Sequence, residues 1–226
     1  MATIDQYLVK LRRRIDELKA RVVLPVFGSA TSQQGEILVS FLNRAIQIGE
    51  GCLLVGRARL GTPLFVLTRV LCEDLFLVSW ISLYESNAAE YANGVVWELA
   101  KIGLVNLEKG RAKIVSKTTG EDHTAAIVPK IKDLKTDRRK IEQLAGELGL
   151  SKVYDILYRS SSPEVHGKTF GMPSSSEDAG LAAAFSAIIS LIQTICLIID
   201  NKAIHNRTTT ADEVLKILRI DTLAGR

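Results

Sequence analysis

Residues 181–199 read LAAAFSAIISLIQTICLII, a run of 19 residues without a charge. Its length is close to what a helix needs to cross a lipid bilayer. However, the run contains Ser186, Ser190, Gln193 and Thr194, and it lacks the aromatic belt that usually marks a membrane span. We therefore predict a buried helix at the centre of a folded domain and not a membrane protein, and keep a membrane span as the alternative.

The composition is that of a globular, helix-rich protein. Of the 226 residues, 47% are hydrophobic, which is enough to bury a large core. Only 5 prolines and 16 glycines are present, and a β-rich fold with many turns would use more of both. The formal net charge of +4 is compatible with a polyanionic partner such as RNA but does not demonstrate one.

The cysteines favour a reducing compartment. Cys52, Cys72 and Cys196 all lie in apolar runs and form neither a CxxC pair nor a metal-binding spacing. The histidines also lack metal-binding spacing, and no phosphate loop or dinucleotide fingerprint is present. Residues 1–23 lack the apolar segment of a signal peptide. We predict a cytoplasmic protein that uses no metal and no cofactor.

Apolar residues recur at three- and four-residue spacing along most of the chain, which predicts helices. The predicted helices cover residues 3–23, 32–59, 63–85, 87–107 and 178–201, with a charged helix or helix pair over 122–148. Thr62-Pro63 is predicted to begin the third helix, and Thr210 with Glu213 forms a capping box that opens a short final helix. The predicted apolar side of the fourth helix consists of Val95, Val96, Leu99, Ile102 and Leu104.

These patterns predict an all-α fold, a single helical bundle of about seven to eight helices with a long apolar C-terminal core helix. One all-helical domain is expected to cover residues 1–226. Within it, residues 1–30 form an N-terminal helix that could be peripheral, and residues 205–226 form a short C-terminal appendage.

The helix predicted at 63–85 carries charges inside an otherwise apolar sequence. Arg69 and Glu73 are four residues apart and therefore share one face of the helix. Burying such a pair costs free energy unless each charge has a partner. Two interpretations stay open, a pair that faces solvent and a buried polar network that reaches another element. We favour the network because nearly all neighbouring residues are apolar.

Polar chemistry is concentrated in residues 154–170, YDILYRSSSPEVHGKTF. Tyr158, Ser162 and His166 are spaced four apart, and Arg159 precedes His166 by seven positions. A histidine with a near-neutral pKa can act as a general acid or base, and an arginine can bind a phosphate through two parallel hydrogen bonds. For RNA, these two groups suffice for cleavage without a metal. The alternative is a structural polar cluster in which Arg159 pairs with Glu164 or Asp155 and His166 bonds Glu73 or Tyr158.

The Arg159-x6-His166 spacing resembles the R-x(4–6)-H motif of the HEPN superfamily, all-helical proteins that include metal-independent ribonucleases and toxins. The Arg69-x3-Glu73 helix and the later Tyr158-x3-Ser162-x3-His166 pattern also resemble an uncharacterised family of bacterial all-helical proteins. The resemblance implies Arg159 and His166 as catalytic residues. It also implies a homodimer with the motif at its interface.

The sequence thus supports three hypotheses about function, of which the first two are the main ones. The first is a HEPN-like ribonuclease of the toxin or phage-defence type that acts on RNA, with Arg69, Glu73, Tyr158 and Ser162 as supporting residues. The second is a non-catalytic helical protein that binds a partner or ligand and whose Arg/Glu/Tyr/His network is structural. The third, a membrane-associated protein, rests on residues 181–199 alone.

Overall fold

A computed structural model of the chain describes residues 3–22, 32–133, 139–159 and 174–220. This part of the chain contains nine α-helices and no strand, so the predicted all-α class is confirmed and the predicted helix count is slightly low. The one strand-like pairing within these ranges is an isolated antiparallel bridge between Val115 and Asp122.

The helices are numbered in chain order. Their bounds are α1 Ile4–Val22, α2 Gln33–Arg57, α3 Gly61–Leu83, α4 Glu85–Glu108, α5 Thr124–Asp133, α6 Ile141–Glu147, α7 Ser151–Val153, α8 Ser174–His205 and α9 Ala211–Leu218. Helix α7 continues directly into a π-helical segment, Tyr154–Tyr158.

Of two predicted helix starts, one is wrong by two residues and the other is confirmed. Helix α3 begins at Gly61 after Leu60, which provides no side-chain cap, so the predicted start at Thr62-Pro63 is wrong by two residues. Pro63 still lies in the first turn, where amides have no intrahelical acceptor and a missing N–H costs little. The capping box before α9 is present as predicted, because the Thr210 hydroxyl accepts from the Glu213 amide and the Glu213 carboxylate accepts from the Thr210 amide.

The described chain divides into two compact units, one formed by residues 1–85 with 140–226 and the other by residues 86–139. In the first unit, α8 packs against α1, α2 and α3. Its inward side chains are fully or almost fully buried. They include Phe185, Ile188, Leu191, Ile192, Ile195 and Ile199. The long apolar helix near the C-terminus is therefore the core helix of this unit.

Helices α2 and α8 approach each other closely at a glycine. A Cβ atom built on Gly56 would lie 2.1 Å from Cζ of Phe185, so no larger residue fits there without a shift of the ring. By length and composition alone, Gln33–Arg57 and Asp178–His205 could each cross a membrane, a test that the buried core helices of soluble proteins also pass.

Both ends of the chain contribute to the core of the first unit. Leu11, Ile15 and Leu18 of α1 are buried where α1 packs on α2 and α8. In α9, Val214 and Leu215 are buried, and α9 packs on α8.

The second unit contains most of α4 together with α5. Two ion pairs join α4 to the later part of the unit, one between Glu108 and Lys132 of α5 and one between Glu90 and Arg139 at 3.4 Å. The charged segment predicted at 122–148 forms two helices, α5 and α6. Pro129 lies inside α5, and α6 belongs to the first unit.

The predicted apolar side of α4 is not buried as expected. Only Leu104 of the five predicted residues lies in the core, at 8% exposed. The other four are between 41% and 74% exposed, namely Val95, Val96, Leu99 and Ile102. Four of the five residues share one apolar face, but Leu104 lies on the opposite side of the helix, and periodicity could not show which side another element covers.

Candidate functional site

Helix α3 and the π-helical segment are joined by a chain of hydrogen bonds through one tyrosine. Arg69 Nη2 donates to the Tyr158 hydroxyl at 2.6 Å, and that hydroxyl donates to Glu73 Oε1 at 3.1 Å. Arg69 Nε also lies 3.5 Å from Glu73 Oε1, as expected for residues one turn apart. We call these three residues the Arg69–Tyr158–Glu73 cluster. The pair does reach another element, as in the second interpretation, but it is only partly buried, since the Arg69 and Glu73 side chains are 18% and 36% exposed.

The cluster is protected from water on its tyrosine side. Tyr158 is buried, and its ring stacks on Tyr154 with centroids 4.9 Å apart. Burial raises the pKa of the Tyr158 hydroxyl above its usual value, and the nearby Glu73 carboxylate adds to that effect. The hydroxyl therefore stays protonated and can accept from the guanidinium while it donates to the carboxylate.

The π-helical geometry places the next residue, Arg159, at the surface. The Arg159 amide donates to the Tyr154 carbonyl at 2.9 Å, an i to i+5 bond that widens the helix by one residue. Short π-helical segments recur at functional sites, where the extra residue changes the direction of the following side chains. Here the widened turn, which begins at Tyr154, ends with the buried Tyr158 and the exposed Arg159.

Arg159 already has partners. Its Nη1 lies 3.3 Å from Asp155 Oδ1, and its Nη2 lies 3.9 Å from Glu142 Oε1 on α6. Its guanidinium carbon is 5.7 Å from the Tyr154 ring centroid. All of these contacts are at the surface, where ion pairs contribute little stability and exchange readily. An anion could therefore take the place of the carboxylates at modest cost.

Two of the predicted site residues, Ser162 and His166, lie outside the described residues. The structure thus brings Arg69, Glu73 and Tyr158 together, and Arg159 directly follows Tyr158 in the chain. The catalytic assignment of Arg159 and His166 stays a prediction.

A second polar pair next to the cluster was not predicted as a site. Asp74 follows Glu73 in α3 and is 1% exposed, and Arg44 Nε of α2 lies 3.1 Å from its Oδ2. Even so, Oδ2 has no hydrogen-bond donor in the part of the chain that the structure describes, because the Arg44 N–H is not directed at it. Burial raises the pKa of Asp74 to about 6, against the opposing charge of Arg44. The only sequence signal is an acidic residue inside an apolar run.

The cysteines are packed as core residues. Cys52, Cys72 and Cys196 are free and buried, and burial raises the thiol pKa of Cys52 and Cys196 to about 12. Thiols with such pKa values are poor nucleophiles and poor metal ligands at neutral pH. Within the described ranges, no group of three or more His, Cys, Asp or Glu residues could hold a metal ion.

A surface cavity of about 510 Å³ lies elsewhere in the first unit, between α1 and the end of α2. Its lining includes Arg12, Arg13 and Arg57 together with Asp16 and Glu17. None of the predicted site residues contributes to it, so it is not part of the Arg69–Tyr158–Glu73 cluster.

Comparison with known proteins adds one match. Residues 35–180 match the profile of a family of unknown function, DUF5677, which covers most of α2 to the start of α8 and includes every predicted site residue. No curated protein and no solved structure matches the chain.

Proposed function

Because the chain belongs to the family of unknown function DUF5677, we propose its activity from its own residues: metal-independent cleavage of RNA by a HEPN-like site formed by Arg159 and His166. In this proposal Arg159 binds the scissile phosphate and His166 transfers the proton. Arg69, Glu73, Tyr158 and Ser162 position them.

One observation carries the proposal. The hydrogen bonds of 2.6 Å and 3.1 Å at the Tyr158 hydroxyl attach the residue before Arg159 to α3. Catalytic groups are effective when neighbouring contacts hold them in place before the substrate arrives. A buried, doubly hydrogen-bonded tyrosine directly before an exposed arginine provides such support.

The proposed reaction needs only these groups. The RNA 2′-oxygen attacks the adjacent phosphorus, the 5′-oxygen leaves, and the products are a 2′,3′-cyclic phosphate and a free 5′-hydroxyl. His166 either accepts the proton of the 2′-hydroxyl or donates one to the leaving 5′-oxygen, and water performs the other of these two proton transfers. Arg159 stabilises the charge that develops on the phosphate oxygens after it leaves Asp155 and Glu142.

A specific observation also favours a second candidate, a non-catalytic binding protein. The Tyr158 hydroxyl has both a donor and an acceptor, and Arg159 has two carboxylates within 4 Å. A purely structural network would have its polar groups satisfied in this way without any ligand.

The decisive experiment is incubation of the purified protein with mixed RNA in EDTA. The variants are His166→Ala and Arg159→Ala, with Arg59→Ala as the matched control. Arg59 is as exposed as Arg159 and also pairs with a surface carboxylate, Asp178 at 2.9 Å, but it lies away from the predicted site. Cleavage by the wild type and Arg59→Ala, but not by the other two, supports the ribonuclease.

No cleavage by any form of the protein would contradict the ribonuclease. If His166→Ala then also melts at a clearly lower temperature, the binding protein becomes the better interpretation, because a structural histidine leaves its partner unpaired when removed.

For the cellular setting, we propose a cytoplasmic homodimer. Three buried, unpaired cysteines are typical of a reducing compartment. Fractionation of cells that express the tagged chain tests the compartment.

A further inference from the structure

The C-terminal half of α4 exposes an apolar face. Leu99 and Ile102 are 65% and 74% exposed, although side chains of this size are usually buried. Three valines extend the face and are between 41% and 54% exposed, namely Val95, Val96 and Val105.

Helix geometry makes these side chains one continuous surface. At 3.6 residues per turn, Val95, Leu99 and Ile102 fall within an arc of about 60°, with Val96 and Val105 on either side. Leu104 points the opposite way and is the one buried leucine of this half of the helix. One side of this half of α4 thus contributes a buried leucine while the other side is apolar and open, and exposed apolar surfaces of this kind mark interaction sites.

We propose that the homodimer proposed above, on which this inference rests, forms through this face: a second copy of the chain covers it, and two α4 helices pack antiparallel across a two-fold axis. The charges at the face support this occupant. Glu98 and Lys101 form an ion pair at 3.1 Å close to the midpoint of the exposed stretch. An antiparallel partner related by a two-fold axis near residue 100 brings Glu98 of each copy beside Lys101 of the other.

The charge of α4 argues against a lipid surface as the occupant. Its sequence contains four glutamates, Glu85, Glu90, Glu98 and Glu108, and one lysine, Lys101. Helices that lie on anionic membranes carry mainly lysine and arginine beside their apolar face. An acidic helix is repelled from such a surface but can pair with itself where opposite charges alternate.

The area is sufficient for a weak but specific dimer. The exposed parts of the five apolar residues amount to roughly 500 Å² per copy, so two copies would bury about 1,000 Å², the lower limit for a specific interface. We therefore expect a dissociation constant in the micromolar range and a dimer that dissociates on dilution.

The first test measures mass by sedimentation equilibrium of the full chain up to about 200 µM, a range that suits an interface of this size. The wild type is expected to dimerise, and Leu99→Asp with Ile102→Asp is expected to weaken dimerisation by on the order of 100-fold or more. Leu54→Asp is the matched control, since Leu54 of α2 is 68% exposed and lies on another helix. It should dimerise like the wild type.

A second test is specific for the antiparallel arrangement and does not depend on the aspartate variants. Glu98→Lys alone places lysines opposite lysines in a homodimer, and Lys101→Glu alone places glutamates opposite glutamates. Each variant is expected to be monomeric, and an equal mixture is expected to form a heterodimer in which every pair is complementary.

Several results would overturn the proposal. One is a wild type that stays monomeric throughout the concentration range. In that case, a lower melting temperature of the double aspartate variant would show that another part of the same chain covers the face, and co-sedimentation of the wild type with anionic vesicles would show a membrane site. Equal dimerisation of the wild type and the double variant, or a mixture of charge variants that stays monomeric, would also refute it.

Discussion

Replacement of Asp74 by asparagine is expected to stabilise the protein at neutral pH. The carboxylate is 1% exposed in α3, and its Oδ2 atom lacks a hydrogen-bond donor among the described residues. The opposing guanidinium of Arg44 is half-exposed, so water screens part of its attraction. Asparagine has nearly the same shape but no charge, and it therefore avoids the main cost of burial.

The size and sign of the effect follow from the pKa of Asp74, which burial raises from 3.8 to about 6. A raised pKa means that the folded protein binds more protons than the unfolded chain between these two pH values. The free energy of unfolding therefore decreases as pH rises through this window, by at most about 3 kcal/mol for a shift of roughly two units. That pKa already includes the attraction of Arg44, and a buried asparagine amide loses hydrogen bonds to water, so we expect Asp74→Asn to add about 1–3 kcal/mol at neutral pH.

Urea unfolding followed by circular dichroism, from about pH 7.5 down to about pH 4, measures this effect as a difference between variant and wild type. The difference should shrink toward zero at the acidic end, where Asp74 is protonated. Asp178→Asn is the control, because the Asp178–Arg59 pair is exposed and should contribute less than about 1 kcal/mol. A variant that is less stable than the wild type at neutral pH, with the deficit disappearing in acid, would refute the reasoning. Such a result would mean that Arg44 stabilises the carboxylate by more than burial destabilises it.

Three further predictions concern other parts of the chain. Tyr158→Phe should lower the free energy of unfolding by about 1–3 kcal/mol, because two charged groups lose one hydrogen-bond partner, and an unchanged urea midpoint would contradict this. Gly56→Ala should destabilise by about 1–3 kcal/mol or more because its Cβ would overlap the Phe185 ring, whereas Gly51→Ala in the same helix has room and should be neutral or stabilising by up to about 1 kcal/mol. Hydrogen bonds from Thr124 lower the pKa of Asp122 to about 2, so carboxyl NMR should show it titrating near that pH. Asp122→Asn should lower stability at neutral pH, since the contribution of the carboxylate is present above the unfolded pKa and is lost as pH falls from 3.8 through 2.

The sequence predicted helices better than their environment. Period 3.6 identified α2 as residues 32–59 and α4 as 87–107, and the observed bounds are Gln33–Arg57 and Glu85–Glu108. It failed for the burial of α4, because periodicity shows that a face is apolar without showing what lies against it. The same limit applies to Asp74, whose burial depends on α2 as well as on its own helix.

In the candidate site, too, some contacts could be predicted from the sequence and others could not. Arg69 and Glu73 could be paired from sequence because residues four apart are always neighbours on a helix. Tyr158, by contrast, is separated from Glu73 by 85 positions and from Arg69 by 89 positions, and no local pattern specifies contacts over such distances in the sequence. Local spacing could suggest a partner on another element but could not identify which hydroxyl provides it.

Composition and local periodicity determined the all-α class, the long core helix α8 and the capped start of α9, because a helix and its caps depend on residues within a few positions of one another. Only the tertiary structure decided that Tyr158 joins α3 to the π-helical segment, that Gly56 allows Phe185 to pack on α2, and that the outer face of α4 stays open. These features depend on how whole helices pack together, and packing is set by the sum of many distant contacts that no single stretch of sequence contains.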